Sequence, residues 1–178
     1  MTTYVAMLRG INVSGRNKLP MEDLRALLVA GGAKEVRTYI QSGNAVFTSR
    51  RSPSTLVDTL ESDLESALGN KVPVLLRTID ELEAVIDANP FVARGEDQKG
   101  LHVTFMGQAP TAAALASVEG KRADADEFQV IGRHVYLFCP HGYGTTKLTN
   151  TFFEKKLGSP ATTRNWKTVT TLVALAQE

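Results

Sequence analysis

Cysteine, signal-like segments and long apolar runs are scarce in this 178-residue chain, and each shortage excludes a class of protein. Cys139 is the only cysteine, so an internal disulfide is excluded and a reducing compartment is indicated. No apolar stretch approaches the ~20 residues that a transmembrane helix needs. The segment MTTYVAMLRGIN lacks the basic start and long apolar run of a secretory signal. We therefore expect a cytoplasmic protein that does not bind membranes.

Signals for metal or catalytic chemistry are equally scarce. His102, His134 and His141 lack the spacing of metal ligands. Cys139 and His141 together offer two ligands, which is too few for zinc. No residue in sequence marks a base beside Ser42 or Cys139, so nucleophilic catalysis has no support. The sequence predicts no metal site, and it leaves the cofactor, the catalytic residues and enzymatic activity itself undetermined.

The net charge of +1 conceals a segregation of charge along the chain. Residues 1–51 hold eight basic and three acidic side chains, and residues 133–178 hold six and two. Residues 52–132 between them hold six basic and fourteen acidic side chains. If the two basic ends meet in space, they form a face that attracts anions. The alternative, charges scattered over the surface, stays open.

The apolar pattern from Thr3 to Thr78 predicts the element order βαββαβ. The strand TYVAML is followed by a glycine-bearing loop and by a helix that begins near Pro20. Two alternating segments flank SGN, where Gly43 and Asn44 tolerate the positive φ of a tight hairpin. A helix with a leucine stripe and the strand VPVLLRT complete the series.

The order partly repeats after residue 100, with a strand, a helix, a hairpin around Gly132–Arg133 and another helix. In the place of a last strand, we expect a C-terminal helix that begins within ATTRNWKT and buries Trp166. The fold class predicted is α+β, with two ferredoxin-like βαββα(β) halves, antiparallel sheets and an extra C-terminal helix. The predicted domains are residues 1–78, a linking helix and connector at 79–100, and residues 101–178.

Four polar blocks interrupt these periodic segments, and PHGYGTTKLT resembles an anion-binding turn. A strand leads through Gly142 and Gly144 to Lys147 and a helix that starts near Thr149. Glycines let backbone N–H groups approach an anion, and a helix N-terminus adds partial positive charge. The spacing is not that of a P-loop. A flexible turn with threonine caps explains the same residues.

The block ATTRNWKT combines helix-starting residues with a cation. Thr163 or Asn165 can cap a helix, but capping does not require Arg164, whose charge opposes the helix dipole. Either Arg164 pairs with a carboxylate of the acidic middle segment, or its guanidinium binds an anion. Asp124, Asp126 and Glu127 in that segment are interpreted as an exposed turn.

The two remaining blocks are RGINVSGRNK and IQSGNAVF. Arg9 ends the first strand, beside a loop that contains Asn12. The hairpin places Gln41, Ser42 and Asn44 as hydrogen-bonding groups, although turn chemistry alone accounts for Asn44. Arg16 and Lys18 are interpreted as ordinary solvated charges.

These blocks also carry a family resemblance. LRGINVSGRNKLPMEDL, VRTYIQSGNAVF, GYGTTKLTNTFFEKKLG and ATTRNWKTV are similar to the signature blocks of the bacterial family called domain of unknown function 1697. The similarity spans nearly the whole chain and keeps the order of the blocks. It implies an α+β fold with ferredoxin-like halves, and it implies no activity, cofactor or catalytic residue.

Three functions follow from these observations. The first is binding of a small anionic ligand, phosphate- or nucleotide-like, at a basic glycine-rich cleft. The second is a protein-interaction or homodimerisation module, in which the sheet edge left by the missing eighth strand pairs with a second copy. The third and least favoured is RNA binding, with Tyr4 and Phe47 stacking on bases. The predicted ligand-binding residues are Arg9, Asn12, Gln41, Ser42, Asn44, Lys147, Arg164 and Asn165.

Overall fold

The computed structural model describes residues 1–120 and 125–178. These residues form two compact units, one of residues 1–83 with 172–178 and the other of residues 84–171. The limits of the predicted domains stay a prediction. None of the helices that the structure describes combines the length and the apolar character needed to cross a bilayer.

The first unit contains one antiparallel sheet in the strand order β2-β3-β1-β4. This order and the βαββαβ sequence of elements define a ferredoxin-like half. The chain from residue 1 runs through β1 (Thr2–Leu8), α1 (Met21–Ala30), β2 (Lys34–Tyr39), β3 (Asn44–Ser49), α2 (Pro53–Leu68) and β4 (Val74–Thr78).

The second unit repeats this arrangement in the order β6-β7-β5-β8. The fold class predicted from the sequence, including the C-terminal helix, is therefore confirmed. The remaining elements are α3 (Ile79–Asp87), α4 (Pro90–Ala93), a 3-10 turn (Gln98–Gly100), β5 (Leu101–Met106), α5 (Ala112–Val118), β6 (Glu127–Ile131), β7 (His134–Phe138), α6 (Asn150–Leu157), β8 (Ala161–Asn165) and α7 (Trp166–Ala176).

The eighth strand is present, contrary to the sequence prediction. The segment ATTRN forms β8, which pairs antiparallel with β5 from Met106↔Ala161 to His102↔Asn165. The open edge proposed for homodimerisation is therefore occupied by β8 within the same chain, and a homodimer stays a prediction without that argument. Only Trp166 onward is helical, and Trp166 is buried, as predicted.

Each unit has its own apolar core between its sheet and its helices. In the first unit, Tyr4 and Phe47 lie in this core with Leu24 of α1, at 5% and 1% exposure. Their rings are 5.9 Å apart, and the Tyr4 hydroxyl donates to the Arg51 carbonyl. The base-stacking role considered for these two aromatics is wrong, because both rings are covered by protein.

The chain returns to the first unit at residues 172–178. The Arg37 guanidinium lies 3.3 Å from the Glu178 carboxylate, and Gln177 Nε2 donates to Glu83 Oε1 at 2.7 Å. Residues 172–178 carry no basic side chain, so the meeting of the two basic ends of the chain stays a prediction.

Candidate functional site

The loop of residues 9–19, called here the braced loop, is held in shape by the side chain of Asn12. Asn12 Nδ2 donates to the carbonyl of Leu19 at 2.9 Å and to that of Gln41 at 2.7 Å. Its Oδ1 accepts from the Leu19 N–H at 2.8 Å. A single amide thus closes the loop and fixes it to the β2–β3 turn. Asn17 Nδ2 adds a bond to the Gly10 carbonyl at 3.1 Å.

The middle of the braced loop is a miniature hairpin, residues 12–17. Asn12 N–H donates to the Asn17 carbonyl, and Val13 pairs with Arg16 in an isolated antiparallel bridge. Ser14 and Gly15 have φ of 50° and 73°, the positive values that a type I′ turn requires at both central residues. The pairing places Val13 and Arg16 side by side across the hairpin.

The braced loop is cationic throughout. Residues 9–20 contain Arg9, Arg16 and Lys18 and no acidic residue. Arg16 and Lys18 are exposed, whereas Arg9 at the end of β1 is half-buried and donates its N–H to the Pro73 carbonyl at 3.0 Å. This arrangement concentrates positive charge on a fixed backbone.

The β2–β3 turn, residues 40–43, adjoins the braced loop and depends on Gly43. The Gly43 carbonyl accepts from the Leu8 N–H at 2.9 Å. A Cβ at Gly43 would lie 2.9 Å from Leu8 Cβ, and its φ is 83°. Glycine is therefore required here, as expected for a hairpin turn.

The positive φ that the sequence prediction allows at Asn44 occurs instead at Ile40, which the prediction gave no role. Asn44 does not adopt a positive φ; it is the first residue of β3, is buried, and donates from Nδ2 to Tyr39 O at 3.1 Å and Ser42 Oγ at 2.9 Å. Ile40 instead has φ of 50° with 48% of its surface exposed. Positive φ is a clear outlier for a β-branched residue. Gln41 is exposed and Ser42 half-buried beside it.

In the second unit, the predicted position of Arg164 at a helix start is wrong, and the predicted capping role of Asn165 is confirmed. Arg164 does not lie in a helix turn; it is a buried residue of β8, and burial lowers its pKa to about 10. Its guanidinium donates to Thr162 Oγ1 at 2.7 Å and to the Thr163 carbonyl at 3.0 Å. Asn165 Oδ1 accepts from the Thr168 N–H at 2.8 Å and so caps α7, as one alternative predicted.

Lys147 is exposed on the loop of residues 139–149. This loop is fixed at Thr146, whose hydroxyl donates to Asp126 Oδ2 at 2.6 Å and accepts from the Leu148 N–H. The interpretation of the acidic cluster as an exposed turn is wrong for Asp126, which is 9% exposed. Asp124 lies outside the described residues.

His102 and Cys139 border the same loop, and sequence reasoning gave neither a role. The His102 ring stacks on Tyr143 at 4.8 Å between centroids. Its Nδ1 is buried, with no hydrogen-bonding partner among the described residues. Burial lowers the pKa of His102 and raises that of the buried Cys139 thiol to about 11. A thiol with so high a pKa is a poor nucleophile at neutral pH.

The two halves differ in which of their loops is long. The β1–α1 connection has 12 residues (9–20), whereas its counterpart between β5 and α5 has five (107–111). After the third strand of each half, the second half has the longer loop. The β3–α2 connection has three residues (50–52), whereas the β7–α6 connection has eleven (139–149). Long loops on a fixed scaffold are where binding residues are commonly found. Each half therefore has one elaborated loop, and both coincide with predicted blocks.

The predicted residues fall into two groups. Arg9, Asn12, Gln41, Ser42 and Asn44 lie in the braced loop and the β2–β3 turn, where Asn12 contacts Gln41 and Asn44 contacts Ser42. Lys147, Arg164 and Asn165 belong to the second unit. Their convergence with the first group stays a prediction. A groove of about 560 Å³ between α5 and β6 includes none of the eight.

Residues 1–136 match the protein family described as "Protein of unknown function (DUF1697)". The chain belongs to the DUF1697 family. The match covers the long loop of the first half, strands β5 and β6 of the second sheet, and the first two of the four polar blocks. The family that those blocks resemble is therefore confirmed.

A solved structure extends the similarity of this DUF1697 chain to its full length. The conserved bacterial protein SP0830 from Streptococcus pneumoniae superposes with a TM-score of 0.81 at 26% sequence identity. The alignment covers 100% of this chain and 99% of SP0830. No curated protein matches the chain. The comparisons therefore support the family and the two-half fold.

Proposed function

We propose that the protein binds a small phosphate-bearing anion at the braced loop and the adjoining β2–β3 turn. The observation that carries this proposal is a cationic loop whose shape is set in advance. Arg16 and Lys18 are exposed on a backbone closed by three hydrogen bonds of Asn12. Binding to a preformed loop costs little free energy for ordering the loop.

The backbone of the braced loop is fixed in an unusual conformation. Five of its residues have positive φ, namely Gly10, Asn12, Ser14, Gly15 and Asn17. The N–H groups of Asn12, Arg16 and Leu19 are donated within the loop itself. The N-terminus of α1 contributes little, because Glu22 and Asp23 occupy its first turn. The cations, rather than a helix dipole, are the proposed anion-binding groups.

Within this proposal the predicted residues divide by role. Arg16 and Lys18, which the sequence analysis assigned to solvent, bind the anion directly, with Arg9 adding charge at the root of the loop. Asn12 is a positioning residue, since both ends of its amide are engaged with the backbone. Gln41 presents an exposed amide beside the loop.

The test is titration with inorganic phosphate and pyrophosphate, followed by amide NMR shifts and by thermal unfolding. We expect shifts confined to residues 9–19 and 40–43. At a ligand concentration of 100 Kd, the stabilisation is about 2.7 kcal/mol. The double variant Arg16→Ala/Lys18→Ala should lose this effect, whereas Arg25→Ala, an exposed cation on α1, should keep it. No shifts in these loops with any phosphorylated compound would refute the proposal.

A further inference from the structure

Two exposed aliphatic side chains belong to the braced loop and to the adjoining β2–β3 turn. Val13 is 57% exposed and Ile40 is 48% exposed. Single exposed apolar residues are common and need no explanation. These two, however, lie on neighbouring loops that are joined by the 2.7 Å bond from Asn12 Nδ2 to the Gln41 carbonyl. Val13 follows Asn12 and Ile40 precedes Gln41, so each is the chain neighbour of a residue in that contact.

Neither aliphatic side chain is explained by the stability of the fold. Ile40 holds a backbone conformation that glycine or asparagine adopts at far lower cost, and its side chain gains little from partial burial. Val13 occupies one arm of an exposed hairpin whose turn needs only Ser14 and Gly15. Contact with an apolar surface of a ligand would account for both exposed side chains.

The polar groups around this pair identify the class of ligand. Arg16 lies directly across the 12–17 hairpin from Val13, so an anion at Arg16 would be adjacent to the apolar contact. Gln41, next to Ile40, has an exposed side-chain amide that offers both a donor and an acceptor. An aliphatic chain attached to a phosphate would have no use for that amide, whereas the edge of a heteroaromatic base pairs with it.

We propose that the ligand of this site is a nucleoside phosphate, whose base lies against Val13 and Ile40 and whose phosphate lies at Arg16 and Lys18. This inference rests on the proposed function, since the phosphate supplies the shared anchor. Gln41 reads the edge of the base, and the ribose spans the distance between the apolar pair and the cations.

The test compares three probes by calorimetry, namely inorganic phosphate, ribose 5-phosphate and adenosine 5′-monophosphate. We expect the nucleotide to bind at least about tenfold more tightly than ribose 5-phosphate, a difference of about 1.4 kcal/mol. Ile40→Gly and Val13→Ser should each reduce that ratio towards one while leaving the affinity for ribose 5-phosphate unchanged. Val29→Ser, which alters a residue 55% exposed on α1, is the matched control and should change neither affinity.

The outcomes separate this inference from the proposed function. Equal affinities for ribose 5-phosphate and the nucleotide would overturn the inference and leave phosphate binding intact. A tenfold preference that survives both Ile40→Gly and Val13→Ser would also overturn it, because the base would then bind elsewhere. Failure of all three probes to bind would remove both proposals. Ile40→Gly is suited to its φ of 50°, so we expect the variant to fold.

Discussion

Replacement of Asn12 by alanine should destabilise the first unit by more than a surface substitution normally does. The change removes three side-chain hydrogen bonds, to Leu19 N, Leu19 O and Gln41 O. At roughly 0.5–1 kcal/mol each for partly exposed groups, their loss amounts to about 2 kcal/mol. Asn12 also has φ of 56°, where alanine costs about 1 kcal/mol more than asparagine or glycine. The expected total is about 3 kcal/mol.

Asn12→Gly separates the two contributions. Glycine loses the hydrogen bonds but accepts the positive φ, so this variant should be destabilised by about 2 kcal/mol. Urea unfolding followed by far-UV circular dichroism measures both values, and amide hydrogen exchange reports whether residues 9–19 open locally. The reasoning would be refuted if Asn12→Ala changed the unfolding free energy by less than about 0.5 kcal/mol and left exchange in the loop unaltered.

Three further substitutions test separate features. Gly43→Ala should cost roughly 2–4 kcal/mol in urea unfolding, because its Cβ would lie 2.9 Å from Leu8 Cβ at positive φ. Gly69→Ala, at φ 74° with open space, should cost only about 1–2 kcal/mol, and equal losses would contradict the steric argument. Ile40→Gly should leave stability unchanged or raise it, and a clear loss would mean that Ile40 is not strained. Burial lowers the pKa of His102 in the folded state below its ordinary 6.5. The folded state therefore favours the neutral imidazole, and the contribution of His102 to the free energy of unfolding is full above about pH 7 and is lost as the pH falls. Stability measured from about pH 7 to about pH 5 should therefore decline less in His102→Gln than in the wild type, and parallel curves would contradict this account.

The sequence is sufficient to predict most of the fold, because apolar periodicity and cap residues mark the elements locally. Ser52 and Thr149 cap α2 and α6, and Gly69 and Gly158 end the same helices in the left-handed conformation. Such signals act within a few residues, so one chain reveals them. The antiparallel pairing of the first half then follows from its βαββαβ order.

The prediction fails at β8 because this strand is polar on both faces. Thr163 bonds to Thr104 at 2.7 Å and to Asn150 at 2.6 Å, and Arg164 bonds to Thr162. The hydrogen bonds to these partners offset the cost of burying polar groups, but the partners lie up to 59 residues away along the chain. A pattern based on hydrophobicity therefore misses the strand and predicts the start of the C-terminal helix in its place.

The sequence singles out the polar block of the candidate site, but not its geometry and not the role proposed for Arg16 and Lys18. The glycines and cations of the block RGINVSGRNK mark it in the sequence itself. The brace from Asn12 to Gln41 spans 29 residues, and no local rule predicts it. The positive φ of Ile40 is equally hidden, since propensity directs attention to Gly43 and Asn44.

The membership of residues 172–178 in the first unit constrains how the protein is made. During translation, residues 1–83 leave the ribosome long before Gln177 and Glu178, the partners of Glu83 and Arg37. The contacts of the N-terminal half with residues 172–178 can therefore form only after the C-terminal half has been synthesised.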